Sequence, residues 1–182
     1  MILKNFRCIK NGEYLNNYEL TYINKAGNNK VYEMVSRDKY TDVSDVGKKI
    51  AGVTIAAFNG DQILLSREFR MGVNRYVYSF PSGLIDEGET PVQAAKRELM
   101  EETGMELTDI RSVLQPAFSC TGITDEKTII VFCEAEGETC ECSFDDEEIC
   151  SSLYTKEEVR KMLEEETFSA RAQAVCYLWS KE

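Results

Sequence analysis

Three observations in this sequence predict an α+β fold. Apolar segments of strand length, separated by Asn- and Gly-bearing turns, fill residues 1–68; a helix framed by both of its caps occupies 91–103; and two further helical patterns close the chain. With 182 residues, 43% of them apolar, the chain can bury roughly 70% of its extended surface, which excludes a fibre or a disordered tail.

Taken in order, residues 1–49 read as three short strands, Ile2 to Ile9, Tyr18 to Asn24 and Lys30 to Ser36. A sheet this small buries little by itself, so we expect residues 1–49 to form an antiparallel β subdomain that docks on the main domain or on a second copy of the chain. The main domain is expected over residues 50–182. It opens with strands Ile50 to Phe58 and Gln62 to Glu68, joined at Asn59-Gly60-Asp61, where an Asn-Gly pair supplies positive φ for a tight hairpin. After the central helix come apolar segments near Ser112 to Phe118 and Thr128 to Ala135. Thr155 followed by Glu158 is a capping box that starts a helix presenting Val159, Met162 and Leu163 on one face. A last helix begins near Ser169 and places Val175, Leu178 and Trp179 on one face.

Composition narrows the chemistry. Twenty-one basic against 32 acidic residues give a net charge of −11, which repels a phosphate backbone, so nucleic acid is not an expected partner. Thirteen acidic and three basic residues fall between 134 and 166, concentrating the excess charge there. There is no histidine, which removes imidazole bases, Ser-His-Asp and Cys-His schemes and histidine metal sites. The seven cysteines form no regular framework, and neither paired knuckles for zinc nor an even disulfide count emerges from their spacing. Free thiols in a reducing cytoplasm are the expectation. Lys4, Arg7 and Lys10 interrupt the first ten residues, so these are not read as a signal peptide, and the longest apolar run, Ile50 to Phe58, is about half of what crosses a bilayer.

The informative segment is Gly83 to Met105. Thr90 with Gln93 forms a capping box, Pro91 takes the first helical position and Gly104 stands at the left-handed C-cap. At 100° per residue Val92, Ala95 and Leu99 share the core face, while Glu98, Glu101 and Glu102 share an adjacent one. Like charges at this spacing destabilise a helix, and they crowd the end where the macrodipole favours cations. Lys96 and Arg97 relieve part of that. Two readings of the cluster stand: a solvated acidic face, or a site where a divalent cation between carboxylates and a phosphate removes the repulsion.

This segment resembles the Nudix hydrolase box, G-x5-E-x7-R-E-U-x-E-E-x-G-U with U bulky and aliphatic, in which Gly83, Glu89, Arg97, Glu98, Leu99, Glu101, Glu102, Gly104 and Met105 match every position. The resemblance implies an α/β/α sandwich with a mixed sheet. It also implies a loop-helix-loop that binds Mg2+ or Mn2+ and hydrolyses a nucleoside diphosphate linked to another group. Carried over, Glu98, Glu101 and Glu102 are the catalytic carboxylates and metal ligands, helped by the Ser82 backbone carbonyl, with Gly83, Glu89, Arg97 and Gly104 structural. Arg97 and Glu89 would form an ion pair holding the ligand carboxylates in place.

More weakly, the whole chain resembles the ADP-ribose pyrophosphatase branch, through the stretch Arg67 to Glu89, the N-terminal strands and the segment Phe144 to Trp179. That implies ADP-ribose cleaved to AMP and ribose 5-phosphate by a cytoplasmic homodimer, with Arg70 on the diphosphate and Tyr32 stacked on the base. In the acidic loop Asp145 matches the general base by position, and Glu147 lies two residues on. Two departures fall near the expected substrate: Ser119-Cys120-Thr121-Gly122 replaces a proline-bearing turn, and Ser79 stands where a glutamate is common. Hydrolysis of a UDP- or GDP-sugar, and a non-catalytic nucleotide-binding regulator, are the alternatives.

Overall fold

A computed structural model describes residues 1–140 and 148–182, and the chain divides into two compact units. The first comprises Met1–Ala51 and Pro116–Thr128. Its strands β1 (Ile2–Asn11), β2 (Asn16–Ile23) and β3 (Asn29–Ser36) form an antiparallel meander. Alternation along β2 puts Tyr18 and Leu20 on one face with Met34 of β3, and these three are buried together, Phe6 stacking on Tyr18 with ring centroids 5.1 Å apart. Asp125 organises the segment beside them, accepting hydrogen bonds from the Tyr40 hydroxyl at 2.6 Å and the Gly47 N–H at 3.0 Å.

The second unit comprises Gly52–Gln115 and Ile129–Glu182. Its strands are β4 (Gly52–Asn59), β5 (Gln62–Arg70), β6 (Arg75–Ser79), β7 (Ser82–Leu84), β8 (Glu106–Val113) and β11 (Ile149–Thr155), and its helices are α1 (Pro91–Thr103), α2 (Lys156–Glu165) and α3 (Ala170–Trp179). Two remaining strands are β9 (Ala117–Phe118), in the first unit, and β10 (Lys127–Glu136), whose first two residues belong there as well. The mixed sheet runs β11-β5-β4-β10-β8, with β6 on β5 and β7 on β4. Strand β4 explains the layering. Val53, Ile55 and Ala57 are buried on one face, while Ala56 and Phe58 on the other pack with Val159 of α2 and with Ala172 and Cys176 of α3. A strand apolar on both faces needs cover on both, and α1 lies against β4 and β7 as well. The result is the α+β architecture that the sequence predicts, with helices flanking a mixed sheet.

Local chemistry fixes the ends of these elements. Both capping boxes form, Thr90 with Gln93 and Thr155 with Glu158, and Gly104 ends α1 at φ +76°. In the β4–β5 hairpin only Gly60 takes positive φ, at +57°; Asn59 ends the strand opposite Gln62.

Other expectations need correction. Strand β8 starts at Glu106, six residues before the predicted Ser112, because on this edge strand only Leu107 is buried and the apolar alternation is faint. Strand β11 is unforeseen: Ser151 interrupts its apolar pattern, but that buried serine pairs hydroxyl to hydroxyl with Ser66 at 2.8 Å, so its polarity is satisfied. Strands β6 and β7 are also unforeseen, being only five and three residues long. On α3 the buried stripe is Ala172, Val175, Cys176 and Trp179, and Leu178 is 65% exposed instead of sharing that face. On α1 Val92 is half-buried, and the fully packed line runs through Ala95, Leu99 and Glu102. The six described cysteines carry free thiols; Cys142 lies outside the described residues.

Candidate active site

The three carboxylates of α1 differ in their surroundings. Glu102 continues the buried stripe of the helix and is 9% exposed, the Glu98 side chain 14%, and the Glu101 side chain 41%. A buried carboxylate needs donors, and Glu102 Oε2 accepts one from the Ser82 N–H at 3.1 Å. Ser82 opens β7, where it is the antiparallel partner of Thr54 on β4. The helix carries the carboxylate and the strand holds it.

Arg97 gathers the rest. Its Nε and Nη2 donate to the two oxygens of Glu89 at 3.1 and 2.9 Å, a bidentate pair, and Nη2 also donates to the Leu84 carbonyl at 3.0 Å. Its Nη1 is shared between Glu98 Oε1 at 2.7 Å and Glu101 Oε2 at 3.2 Å. Glu89 in turn accepts the Asp86 N–H at 3.1 Å, closing the loop that precedes the helix. The guanidinium is therefore bonded to three carboxylates and one carbonyl, which holds it firmly protonated. The Leu84 carbonyl and the Ser82 N–H were invisible to residue-type reasoning, since any residue carries them.

Gly83 shows why the box needs glycine. A Cβ there would lie 1.9 Å from Glu98 Cδ, so the β7 backbone and the helix carboxylate occupy adjoining space. Burial raises the Glu98 carboxyl above the ordinary glutamate value; the Arg97 bond opposes this, and the charges of Glu101 and Glu89 add to it. Glu89 is moved the other way, held below its ordinary value chiefly by its hydrogen bond from Arg97.

Among the described residues no three His, Cys, Asp or Glu groups converge into a ready metal cage. The donor set nevertheless suits a hard divalent cation: every candidate is an oxygen, and Mg2+ takes one or two carboxylates with waters and substrate phosphates instead of a full protein cage. The carboxylate repulsion felt by Glu98 is the electrostatic condition such a cation relieves.

The other predicted residues are placed as follows. Arg70, at the end of β5, pairs with Glu68 at 2.8 Å and lines a cavity of about 640 Å³ with Arg75, Val73, Val77, Phe168 and Ser169. Tyr32, on β3, donates its hydroxyl to the Gly122 carbonyl at 2.6 Å and lines a separate cavity of about 310 Å³ with Tyr22, Met34, Phe118 and Ile123. Asp145 and Glu147 lie outside the described residues. Their neighbour Glu148 is described, and it accepts a hydrogen bond from the Tyr76 hydroxyl at 2.5 Å.

Comparison with known proteins decides the family. A NUDIX domain model matches residues 48–175. The chain belongs to the Nudix family. Within that family it is 29% identical over 140 residues to the Caenorhabditis elegans protein named "Putative nudix hydrolase 2", a match covering 75% of this chain and 61% of that one. It is 30% identical over 96 residues to the ADP-sugar pyrophosphatase of Mus musculus, covering 53% and 44%. Each match spans less than two thirds of the relative's own length. A solved structure described as an ADP compounds hydrolase superposes on 98% of this Nudix chain and 91% of its own, with a TM-score of 0.76 at 22% identity, a likeness of fold. Among the described residues no helix is long and apolar enough to cross a membrane.

The Glu89–Arg97 pair has a pH signature. A carboxyl whose folded value lies below its ordinary 4.5 contributes stability that is present above 4.5 and lost as pH falls through the lowered value. Glu89→Gln should therefore be less stable than the parent at pH 7, and urea titrations from pH 7 down to about 2 should show the two curves converging as acid protonates Glu89 in the parent. A gap that stays constant through the acid range would reject the assignment.

Proposed function

We propose that this chain is a metal-dependent hydrolase of the diphosphate linkage in a nucleotide sugar, with ADP-ribose as the leading substrate and AMP and ribose 5-phosphate as products. The observation that carries the reading is the complete box in its wired form, Glu98 and Glu101 on one Arg97 nitrogen and Glu102 on the Ser82 N–H. The adenine nucleotide is suggested by the names of similar proteins, an ADP-sugar pyrophosphatase and an ADP compounds hydrolase.

In this reading Glu98, Glu101, Glu102 and the Ser82 carbonyl would hold Mg2+ or Mn2+. A bound divalent cation neutralises charge on the phosphate oxygens and makes nearby water more acidic. The chain's own groups do the rest. Arg97 keeps the carboxylates in register, Arg70 contacts the diphosphate, and Glu147 or Asp145 accepts a proton from the attacking water. The water oxygen forms a new bond to one phosphorus, the bridging P–O bond breaks, and the second phosphate leaves with the bridging oxygen. Tyr32 is the proposed base-stacking residue, and its place beside an apolar cavity with Tyr22 and Phe118 supports that role.

Three outcomes test this. A panel of ADP-, UDP- and GDP-sugars assayed with Mg2+ should yield nucleoside monophosphate and sugar phosphate, fastest from ADP-ribose. Glu102→Gln should lower kcat by about 10² or more while the fold persists by circular dichroism; full turnover would end the ligand assignment. Of Asp145→Asn and Glu147→Gln, one should lower kcat by about 10² to 10⁴ with KM little changed, and near-normal kcat in both would place the base elsewhere, with Glu101 next. We also propose a homodimer in which residues 1–49 meet the partner chain. Light scattering at micromolar concentration should then give about twice 20.7 kDa, and a monomer mass at full activity would reject it.

A further inference from the structure

Helix α3 begins beside the strand that leads into the box. The Tyr78 N–H donates to the Thr167 carbonyl at 2.8 Å, the Ser169 N–H donates to the Tyr78 carbonyl at 2.9 Å, and the Ser79 and Ser169 hydroxyls lie 3.3 Å apart. At the second residue of the helix, half-buried Arg171 reaches back and donates from Nη1 to Thr54 Oγ1 at 3.0 Å. Neither residue type is the default for its place. Thr54 is a lone hydroxyl, 6% exposed, in the apolar strand segment Gly52 to Phe58, and a cation in the first turn of a helix opposes the macrodipole.

The position of Thr54 gives the bond a consequence. Thr54 is the register partner of Ser82, and the next residue, Ile55, donates its N–H to the Pro81 carbonyl at 2.8 Å. Within a strand the N–H and C=O of one residue leave on the same side. The Ser82 N–H is spent on Glu102, so its carbonyl leaves toward the carboxylate side as well, and both depend on how β7 is set against β4.

We propose that Arg171 is a positioning residue for the carboxylate cluster. By bonding Thr54 it fixes the point on β4 against which Ser82 is registered, and through Ser82 it sets the place of Glu102. In this role Arg171 acts through Thr54 and Ser82. No position of the box contains it, and its kinetic consequence rests on the hydrolytic reading above.

The test compares Thr54→Val, which keeps shape and removes the acceptor, with Arg171→Met, Arg171→Lys and the double variant Thr54→Val/Arg171→Met, all in the full chain. Hydrogen exchange of the Ser82 amide, measured without metal or nucleotide, should speed up by about tenfold in Thr54→Val and in Arg171→Met. The kcat for ADP-ribose with Mg2+ should fall by about tenfold in each with KM within about twofold, Arg171→Lys should recover part of the loss, and the double variant should be no worse than either single one. Unchanged Ser82 exchange in Thr54→Val, or losses that add in the double variant, would overturn the proposal, as would a raised KM at constant kcat, which would put Arg171 on the substrate. If Arg171→Met does not fold, Thr54→Val and Arg171→Lys decide. If the parent hydrolyses no nucleotide sugar the functional reading fails, and the exchange measurement still decides this one.

Discussion

Three glutamates within one helical turn repel each other, and a helix that carries them needs compensation that does not depend on a ligand. Here Arg97 supplies it from the same helix. Its planar fork meets Glu89 with two parallel hydrogen bonds and still has Nη1 for Glu98 and Glu101 and a contact to the Leu84 carbonyl. A lysine has no such fork, so it could stand near one carboxylate without tying loop and helix together. The loop before α1, the start of the helix and its acidic end are thus one hydrogen-bonded object.

That object needs a backing, and the sheet provides it. Strand β4 is apolar on both faces, which fixes its place in the centre of the second unit, and β7 is a short strand laid along it so that Ser82 presents its N–H to Glu102. At Gly83, the middle residue of β7, the backbone comes so near the helix that no side chain fits beside Glu98. The site is placed by packing from behind and by Arg97 from within, and the two sets of contacts meet at neighbouring residues, Ser82 and Gly83.

Much of this was legible in the sequence where local chemistry decides structure. The caps of α1 are side-chain and glycine signals that act within four residues, so Thr90, Gln93, Pro91 and Gly104 marked the helix to the residue. Strand β11 was not legible, because Ser151 is acceptable inside the sheet only if Ser66, 85 residues earlier, faces it. Leu178 failed for a related reason: periodicity gives the faces of a helix, and tertiary contact decides which of two adjoining faces is covered. In the candidate site the carboxylates and Arg97 announced themselves by type and spacing. The Ser82 N–H, the Leu84 carbonyl and the Thr54–Arg171 bond did not, since the first two are backbone groups and the third joins residues 117 apart.

The burial of Glu102 sets folding and chemistry against each other at a single position. Its side chain lies on the line of Ala95 and Leu99, the stripe by which α1 adheres to the sheet, where an aliphatic residue would satisfy packing with no donor to find. Selection for a stable helix alone would therefore drift away from a carboxylate there. An aliphatic side chain there would satisfy the helix and leave the Ser82 N–H without this acceptor, so the cost of the exchange would fall on the strand behind the site and not on the helix itself.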